Sequence, residues 1–417
     1  MSRNLRLFGG AAIIFYLIGA MNDAPAVYVL AGVCLAVIAG CYWLSRLAVA
    51  GLELELHLPR SEVQAGVKVP VQIILRNIGV ISRPEAVIQI PVRNRTIAGL
   101  ADRYEVLLPP STPGAVSEAT IEIALPARGR WEIGPAVLVG TDPLGMFRRP
   151  GPKSQPQFLL ALPQVFEIPW MWRRQLLSPA ARLMAGARTR QGGEFWGIRQ
   201  HEPGDDLRHV HWKVTAHRGD LVVKEYARGR ELSASIWLDV SSASMVGSGL
   251  HSSLEMSLSM AASLIPALLH MDQAVALLGQ GLPPSLAAPG RGEATAGRAL
   301  RALAEVQPQN GRPFSALVTE QARESRPGLT GIVITSGVEP GLESALLAAA
   351  ARGMALRCLL LAPGPLLTPE QRARQEHVAH RLRHVGVQVA IGANPKELSR
   401  VLNELVDRQG LERAVAT

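Results

Sequence analysis

The sequence predicts three structural units in series: two transmembrane helices, an all-β sandwich and a doubly wound α/β domain. Three observations predict this. Apolar residues run almost unbroken from Leu7 to Met21 and again from Pro25 to Leu44. From Leu52 to about residue 150, short alternating or β-branched runs are punctuated by Gly and Pro. From Ser233 onward, strand-like apolar runs alternate with longer helical segments, the pattern of a mostly parallel sheet covered by helices. The chain of 417 residues is also too long for one ordinary domain. The expected boundaries are 1–50 for the anchor, 51–150 for the sandwich, 151–231 for a linker and charged block, and 232–417 for the α/β domain.

Composition narrows the function classes. A hydrophobic share of 48 % with 18 % charged residues excludes wholesale disorder. A mean hydropathy of only +0.16 excludes a polytopic transporter. Three cysteines exclude a disulfide framework and a four-cysteine zinc site. The net charge of +9 implies an acidic neighbour: lipid headgroups, nucleic acid or an acidic protein.

Twenty helical residues span about 30 Å, one hydrocarbon thickness. The second apolar run fits that length, and the first fits if Leu5 joins it and Arg6 snorkels. Arg3 and Arg6 precede the pair, Arg46 follows it, and the turn at Asn22 and Asp23 carries no Lys or Arg. The positive-inside rule then places both ends, and the body of the protein, in the cytoplasm. The rival reading is a signal peptide over residues 1–26, cleaved near Ala24-Pro25-Ala26. Cys34 and Cys41 read as small apolar packers in the second span.

In the sandwich, Leu52 to Leu58 alternates with period two. Val67–Leu75, Ala86–Val92, Thr120–Leu125 and Trp131–Val139 continue as strands, and Asp142-Pro143-Leu144-Gly145 closes the block as a turn. Residues 151–190 carry Lys153, Arg173, Arg174, Arg182, Arg188 and Arg190 beside Trp170 and Trp172, which suits either a solvated connector or contact with an anionic membrane surface.

In the α/β domain the expected strands are Ser233–Leu238, Ala274–Leu278, Thr330–Thr335, Leu356–Leu361 and Val387–Ile391. The expected helices are Leu254–His270, Ala294–Val306, Leu342–Arg352, Pro369–His384 and Pro395–Gln409, the last two capped by Thr368 and Asn394. Ligands of such a sheet sit beyond the carboxyl ends of its strands.

The densest charge lies between Gly192 and Glu225. Pro203-Gly204 is a turn, Asp205 can cap a short helix with Leu207, Val210 and Val214 on one face, and Arg218-Gly219-Asp220 turns into the strand Leu221-Val222-Val223. Around this frame lie Glu194, Arg199, Asp205, Asp206, Arg208, Trp212, Lys213, Arg218, Lys224 and Glu225. Such a set is either a paired network fixing the linker or a partner-binding surface.

This block resembles the signature of the domain-of-unknown-function 58 family of bacterial membrane-anchored proteins. The resemblance covers most of the chain: the two spans, the sandwich ending in Asp-Pro-Leu-Gly, the Gly-Glu-Phe to Trp-Lys block and the α/β domain. Gln200-His201 stands where the family has Glu-Tyr, His211 where an Asp is usual, and His217 intervenes before Arg218. The resemblance implies a von Willebrand factor A-like domain and pairing with a MoxR-type AAA+ ATPase. It also implies a metal-ion-dependent adhesion site, Asp-x-Ser-x-Ser, at the end of the first strand. Asp239 and Ser241 fit that pattern, Ala243 replaces the next serine, Ser244 comes one residue late, and Thr295 is the candidate for the middle threonine. The carboxylate expected after Ile332-Val333-Ile334 is replaced by Thr335-Ser336-Gly337. The implied cation is Mg²⁺ or Mn²⁺, held by oxygen ligands.

Other motifs are weaker. His201, His209, His211 and His217 lack a cysteine companion, and His377, His380 and His384 share a face that reads as solvated. Cys358 reads as core. No Walker A, His-Glu-x-x-His or Gly-x-Ser-x-Gly sequence is present. The expected function is therefore a membrane-anchored adaptor, not an enzyme, that binds a partner protein at the strand tips. The alternatives are a hydrolase built on Glu194, Asp205, Asp206 and His211, or a nucleic-acid-binding protein.

Overall fold

The computed structural model describes residues 2–22, 24–168, 195–201, 210–226, 233–271, 273–324, 330–337 and 339–393. The chain divides into two units, Met1–Gln164 and Val165–Thr417.

The first unit opens with two helices, α1 (Arg3–Asn22) and α2 (Pro25–Leu47). Both are long and apolar enough to cross a membrane by length and composition. Helix α1 extends four residues before Leu7, so Arg3 and Arg6 belong to its first turns and its 20 residues reach a full span. Pro25 starts α2, where a missing N–H costs nothing. The helices meet through small residues: Ala12 and Ala31 are buried, and the Tyr28 ring lies 3.3 Å from where a Cβ on Gly19 would sit.

Ten strands follow: β1 (Leu52–His57), β2 (Glu62–Gln64), β3 (Lys68–Asn77), β4 (Ala86–Asn94), β5 (Ala101–Leu108), β6 (Val116–Ala124), β7 (Gly129–Ile133), β8 (Val137–Thr141), β9 (Arg148–Lys153) and β10 (Gln157–Leu162). One sheet has the order β1-β3-β6. The other runs β2-β10-β7-β4-β8-β9, with β5 also on β4. Strict alternation buries one face of β3, where Val69, Val71, Ile73 and Leu75 join Ile88, Ile90 and Val92 of β4 in a single core. The run expected from Trp131 to Val139 is two strands, because Gly134 at φ 93 and Pro135 turn the chain between them. The boundary expected at residue 150 falls inside β9, and β10 lies in the segment read as linker. Pro150, Pro152 and Pro156 disguise these strands, yet β9 is an edge strand, where proline is tolerated.

Helix α2 runs into this sandwich through a buried joint. Arg83, 6 % exposed, donates from Nη1 to the Leu47 carbonyl at 2.6 Å, capping the helix end. Gly51 sits at φ 64, and the Gly79 Cα would lie 2.9 Å from a Cβ there. Val49 wedges between Gly140 and Gly151 on neighbouring strands. Beneath the helices, Asp142 accepts from the amides of Leu144 (3.0 Å) and Phe147 (2.6 Å). Burial pushes the Asp142 carboxyl up, but the Phe147, Met146 and Leu144 amides and the Cys41 thiol outweigh it and hold its pKa below the ordinary value.

The second unit begins with Phe166, whose N–H donates to Ser263 Oγ at 3.1 Å, and with Ile168 in the core. A two-stranded sheet pairs β11 (Phe195–Gln200) with β12 (Val222–Tyr226), and helix α3 (Trp212–Arg218) ends at Gly219 with φ 78. Of the apolar face expected here, Val214 lies in this helix and Val210 pairs with Val223 in an isolated bridge, while Leu207 lies outside the described residues. Strands β13 (Ser233–Leu238), β16 (Ala274–Leu278), β17 (Thr330–Thr335), β18 (Ala355–Leu361) and β19 (Gln388–Gly392) form a parallel sheet ordered β16-β13-β17-β18-β19. A short hairpin, β14 (Gly247–Ser248) and β15 (His251–Ser252), follows β13. Around the sheet lie α4 (Ser253–Leu269), α5 (Gly292–Glu305), α6 (Phe314–Glu324), α7 (Leu342–Ala351) and α8 (Pro369–His384). The two sheet faces pack separate apolar clusters, one with Ile236, Leu238, Leu264 and Ile334, the other with Trp237, Val333, Cys358 and Leu360. Burial pushes the Cys358 thiol up to about 12, which leaves it an inert core residue. Helix α8 carries the capping box expected of Thr368, with Gln371 returning the bond. The helix expected at Pro395–Gln409 lies outside the described residues.

Candidate functional site

In this strand order β13 leads one way to β16 and the chain later returns to add β17 on its other side. The topological switch point therefore falls between β13 and β17, where an open α/β sheet presents its crevice. Both strands end there in polar residues. Asp239 follows β13, and its N–H still pairs with the Ile334 carbonyl of β17 at 2.9 Å. Thr335 closes β17.

Asp239 is 5 % exposed. Its Oδ1 accepts from the Ser241 N–H at 3.0 Å, and its Oδ2 accepts from the Thr335 hydroxyl at 2.6 Å. Burial drives the carboxyl up to about 6; bonds from Thr335, Ser244 and the Ser241 amide oppose this, and the charge of Glu339 adds to it. Among the described residues no Lys or Arg pairs with Asp239. The surrounding loops are cross-linked into one ordered rim. Ser244 donates to the Ser241 carbonyl (3.0 Å), Ser336 to the Ser244 carbonyl (2.6 Å), and Gln375 Nε2 to the Ser336 carbonyl (2.8 Å). The Ser242 N–H reaches the Gln309 carbonyl at 2.9 Å, and the Ser242 hydroxyl donates to Asn310 Oδ1. Glu339 accepts from the first amides of α6, at Phe314 (2.9 Å) and Ser315 (3.0 Å), acting as a cap from a distant loop. Asp239, Ser241 and Ser244 are buried, whereas Ala243 and Asn310 are exposed and Ser242 is half-buried.

The structure brings Asp239, Ser241 and Ser244 together and places Thr295 elsewhere. Thr295 lies on α5, bonded to the Arg291 carbonyl at 2.9 Å, and lines a small cavity with Val275 near the amino end of β16. Spacing alone could not say at which end of the sheet it would fall. Thr335, Ser336, Glu339 and Gln375 complete the rim. The Thr-Ser pair after an apolar strand was a usable signal; nothing in the spacing marks Glu339 or Gln375.

The carboxylates that a divalent cation would need at this rim already accept hydrogen bonds. Both oxygens of Asp239 accept from N–H and O–H donors, and both oxygens of Glu339 accept from α6 amides. Mg²⁺ needs about six oxygens, usually with several waters. Among the described residues no group of three His, Cys, Asp or Glu could hold a metal. What the arrangement does hold is a proton-sensitive carboxyl beneath a firm polar loop.

Of the charged block, Glu194, Asp205, Asp206 and Arg208 lie outside the described residues. Arg199, Lys224 and Glu225 lie on the β11–β12 pair, with Ile198 opposite Lys224 and Gly197 opposite Glu225, and Arg218 is the last residue of α3. Trp212 and Lys213 are exposed at the start of α3, and His211 precedes them. The His380 and His384 rings sit 4.4 Å apart on an exposed face, and His377 lies 3.6 Å from Glu343.

The fold and site define a doubly wound α/β domain with a hydroxyl-ringed carboxylate at its switch point. The family model described as "Protein of unknown function DUF58" matches residues 197–363, which include Asp239, Thr335 and Glu339 of that site. No curated protein matches the chain. Among solved structures, the CARDB domain of a Pyrococcus furiosus protein shares 14 % identity over 26 % of this chain and 91 % of its own, with a TM-score of 0.19. The sporulation control protein Spo0M of Bacillus subtilis shares 12 % identity over 37 % of this chain and 59 % of its own, with a TM-score of 0.18.

Proposed function

We propose that the chain is a membrane-anchored adaptor whose second unit docks other proteins on the rim beyond β13 and β17. Helices α1 and α2 hold it in the bacterial inner membrane, with the body in the cytoplasm. The α/β domain serves as a von Willebrand factor A-like module, and the family resemblance points to a MoxR-type AAA+ ATPase as partner. ATP hydrolysis then belongs to that partner, and the outcome is assembly or remodelling of envelope complexes.

The observation that carries this reading is the rim itself. Loops from three parts of the chain are cross-linked into one surface whose outward residues are Ser242, Ala243 and Asn310, while the Asp239 carboxylate lies beneath them. A preordered polar loop costs little entropy on association, so it suits recognition. The docking face is therefore the loop over Asp239, and the role of Asp239 is to hold that loop.

The test uses the full chain in lipid nanodiscs and a purified MoxR-type ATPase from the same cells. Saturable binding, with ATP turnover appearing only when the ATPase is present, is expected. An absence of binding at micromolar concentrations, or turnover by the chain alone, overturns the reading. Protease treatment of inside-out vesicles should digest the body; protection there overturns the orientation.

A further inference from the structure

We propose that Arg46 and Arg149 form a binding site for the phosphate of an anionic phospholipid at the base of the helical hairpin. The site rests on the membrane-anchored reading of α1 and α2. Both helices are seated on the same loop. Ser2 Oγ donates to the Met146 carbonyl at 2.8 Å and Asn4 Nδ2 to the Leu144 carbonyl at 2.7 Å, which fixes the start of α1. The Tyr42 ring meets Phe147 edge-on with centroids 5.7 Å apart, which fixes the end of α2. Asp142 pins that loop through its two amide bonds.

On this frame the Arg149 guanidinium is held 5.1 Å from the Tyr42 ring centroid. Arg46, one helical turn after Tyr42, shares its face of α2. Two cations thus flank one tyrosine, the strand arginine against its ring and the helix arginine one turn further on. Among the described residues, none of Arg46, Arg148 and Arg149 forms an ion pair. The dipole of α2 favours Arg46 at a helix C-terminus, but it gives no reason for a strand arginine to join it. An anion between them does, and guanidinium forks match phosphate oxygens in pairs. The level is right for a headgroup: Trp43, 64 % exposed, and Tyr42 stand where α2 leaves its apolar run, the position of interfacial aromatics. Arg3 and Arg6 belong to the helix start seated on the same loop.

The test is native mass spectrometry of the full chain in detergent, titrated with phosphatidylglycerol or phosphatidylcholine. An arginine near an anionic surface contributes roughly fivefold in affinity, so the pair should favour phosphatidylglycerol by about 30-fold. Arg46→Gln with Arg149→Gln should remove that preference at unchanged thermal stability, and Arg46→Lys with Arg149→Lys should restore part of it. Equal retention of both lipids by the wild type overturns the site, whether or not the glutamine variant folds. Alkaline carbonate extraction separates the two levels: a chain that stays with the membrane yet shows no lipid preference loses only this site, whereas a chain released into solution loses the anchor as well.

Discussion

Thr335 donates its hydroxyl to Asp239 Oδ2 across 2.6 Å, joining the tips of two adjacent parallel strands 96 residues apart in sequence. The bond closes the switch point from beneath, and the Gly337 N–H in turn donates to the Thr335 oxygen at 3.2 Å. A carboxylate there without this donor would be buried with an unmet acceptor. Thr335→Val should therefore destabilise the second unit by about 1–3 kcal/mol, and Thr335→Ser by much less. Hydrogen exchange at the β13 and β17 amides reads this directly.

Asp239 also sets a pH dependence. Its carboxyl titrates at about 6 in the fold against an ordinary value of 3.8. Between those values the native state holds a proton that the unfolded chain has lost. Stability from this group is therefore highest below about pH 4, falls as pH rises to about 6, and is flat above. The cost of the ion at neutral pH is on the order of 3 kcal/mol. Asp239→Asn can keep both bonds, with Oδ1 accepting from Ser241 and Nδ2 donating to Thr335. It should raise the unfolding temperature at pH 7.5 and flatten the slope between pH 4 and 6; a lower unfolding temperature at pH 7.5 would contradict this.

Metal removal should leave the rim unchanged. With both Asp239 oxygens already accepting and no three-residue metal cluster among the described residues, EDTA should not shift the melting of the full chain. Isothermal titration with millimolar Mg²⁺ or Mn²⁺ should show no heat that Asp239→Asn abolishes.

The joint between α2 and the sandwich predicts a separate sensitivity. Gly51→Ala places a Cβ 2.9 Å from the Gly79 Cα at a positive φ, so it should cost about 1–3 kcal/mol. Arg83→Leu removes the cap on Leu47 and should loosen the start of β1, seen as faster proteolysis after Leu47. An unaltered cleavage pattern in both variants would show that helix and sandwich are not rigidly joined.

Much of this fold was legible because local rules and tertiary packing agree. Three parallel strands, at Ser233, Ala274 and Thr330, begin and end where the apolar runs do, since strands buried on both faces need unbroken hydrophobic sequence. Thr368 and Pro369 marked α8 through chemistry confined to one turn. Strands β9 and β10 were not legible: Pro150 and Pro152 mask β9 although it pairs with the neighbouring β8, and the partners of β10, β2 and β7, lie far off in sequence. Helix α6 was missed because its cap comes from Glu339, 25 residues from Phe314, and no local pattern records that. At the rim, Asp239, Ser241 and Ser244 could be read from one loop. Thr335, Ser336 and Gln375 join them only through the sheet order, which places β17 beside β13. Thr295 shows the converse, a suitable residue type carried to the far end of the sheet.

The most direct measurement is the affinity of a purified MoxR-type ATPase for the full chain in nanodiscs, with Ala243→Arg set against the wild type. Ala243 is exposed at the tip of the loop above Asp239, so a long charged side chain there leaves the fold intact. We predict at least about tenfold weaker binding at an unchanged melting temperature, from a charge buried without a partner at the contact. Wild-type affinity in the Ala243→Arg chain would contradict the assignment of this rim as the docking surface.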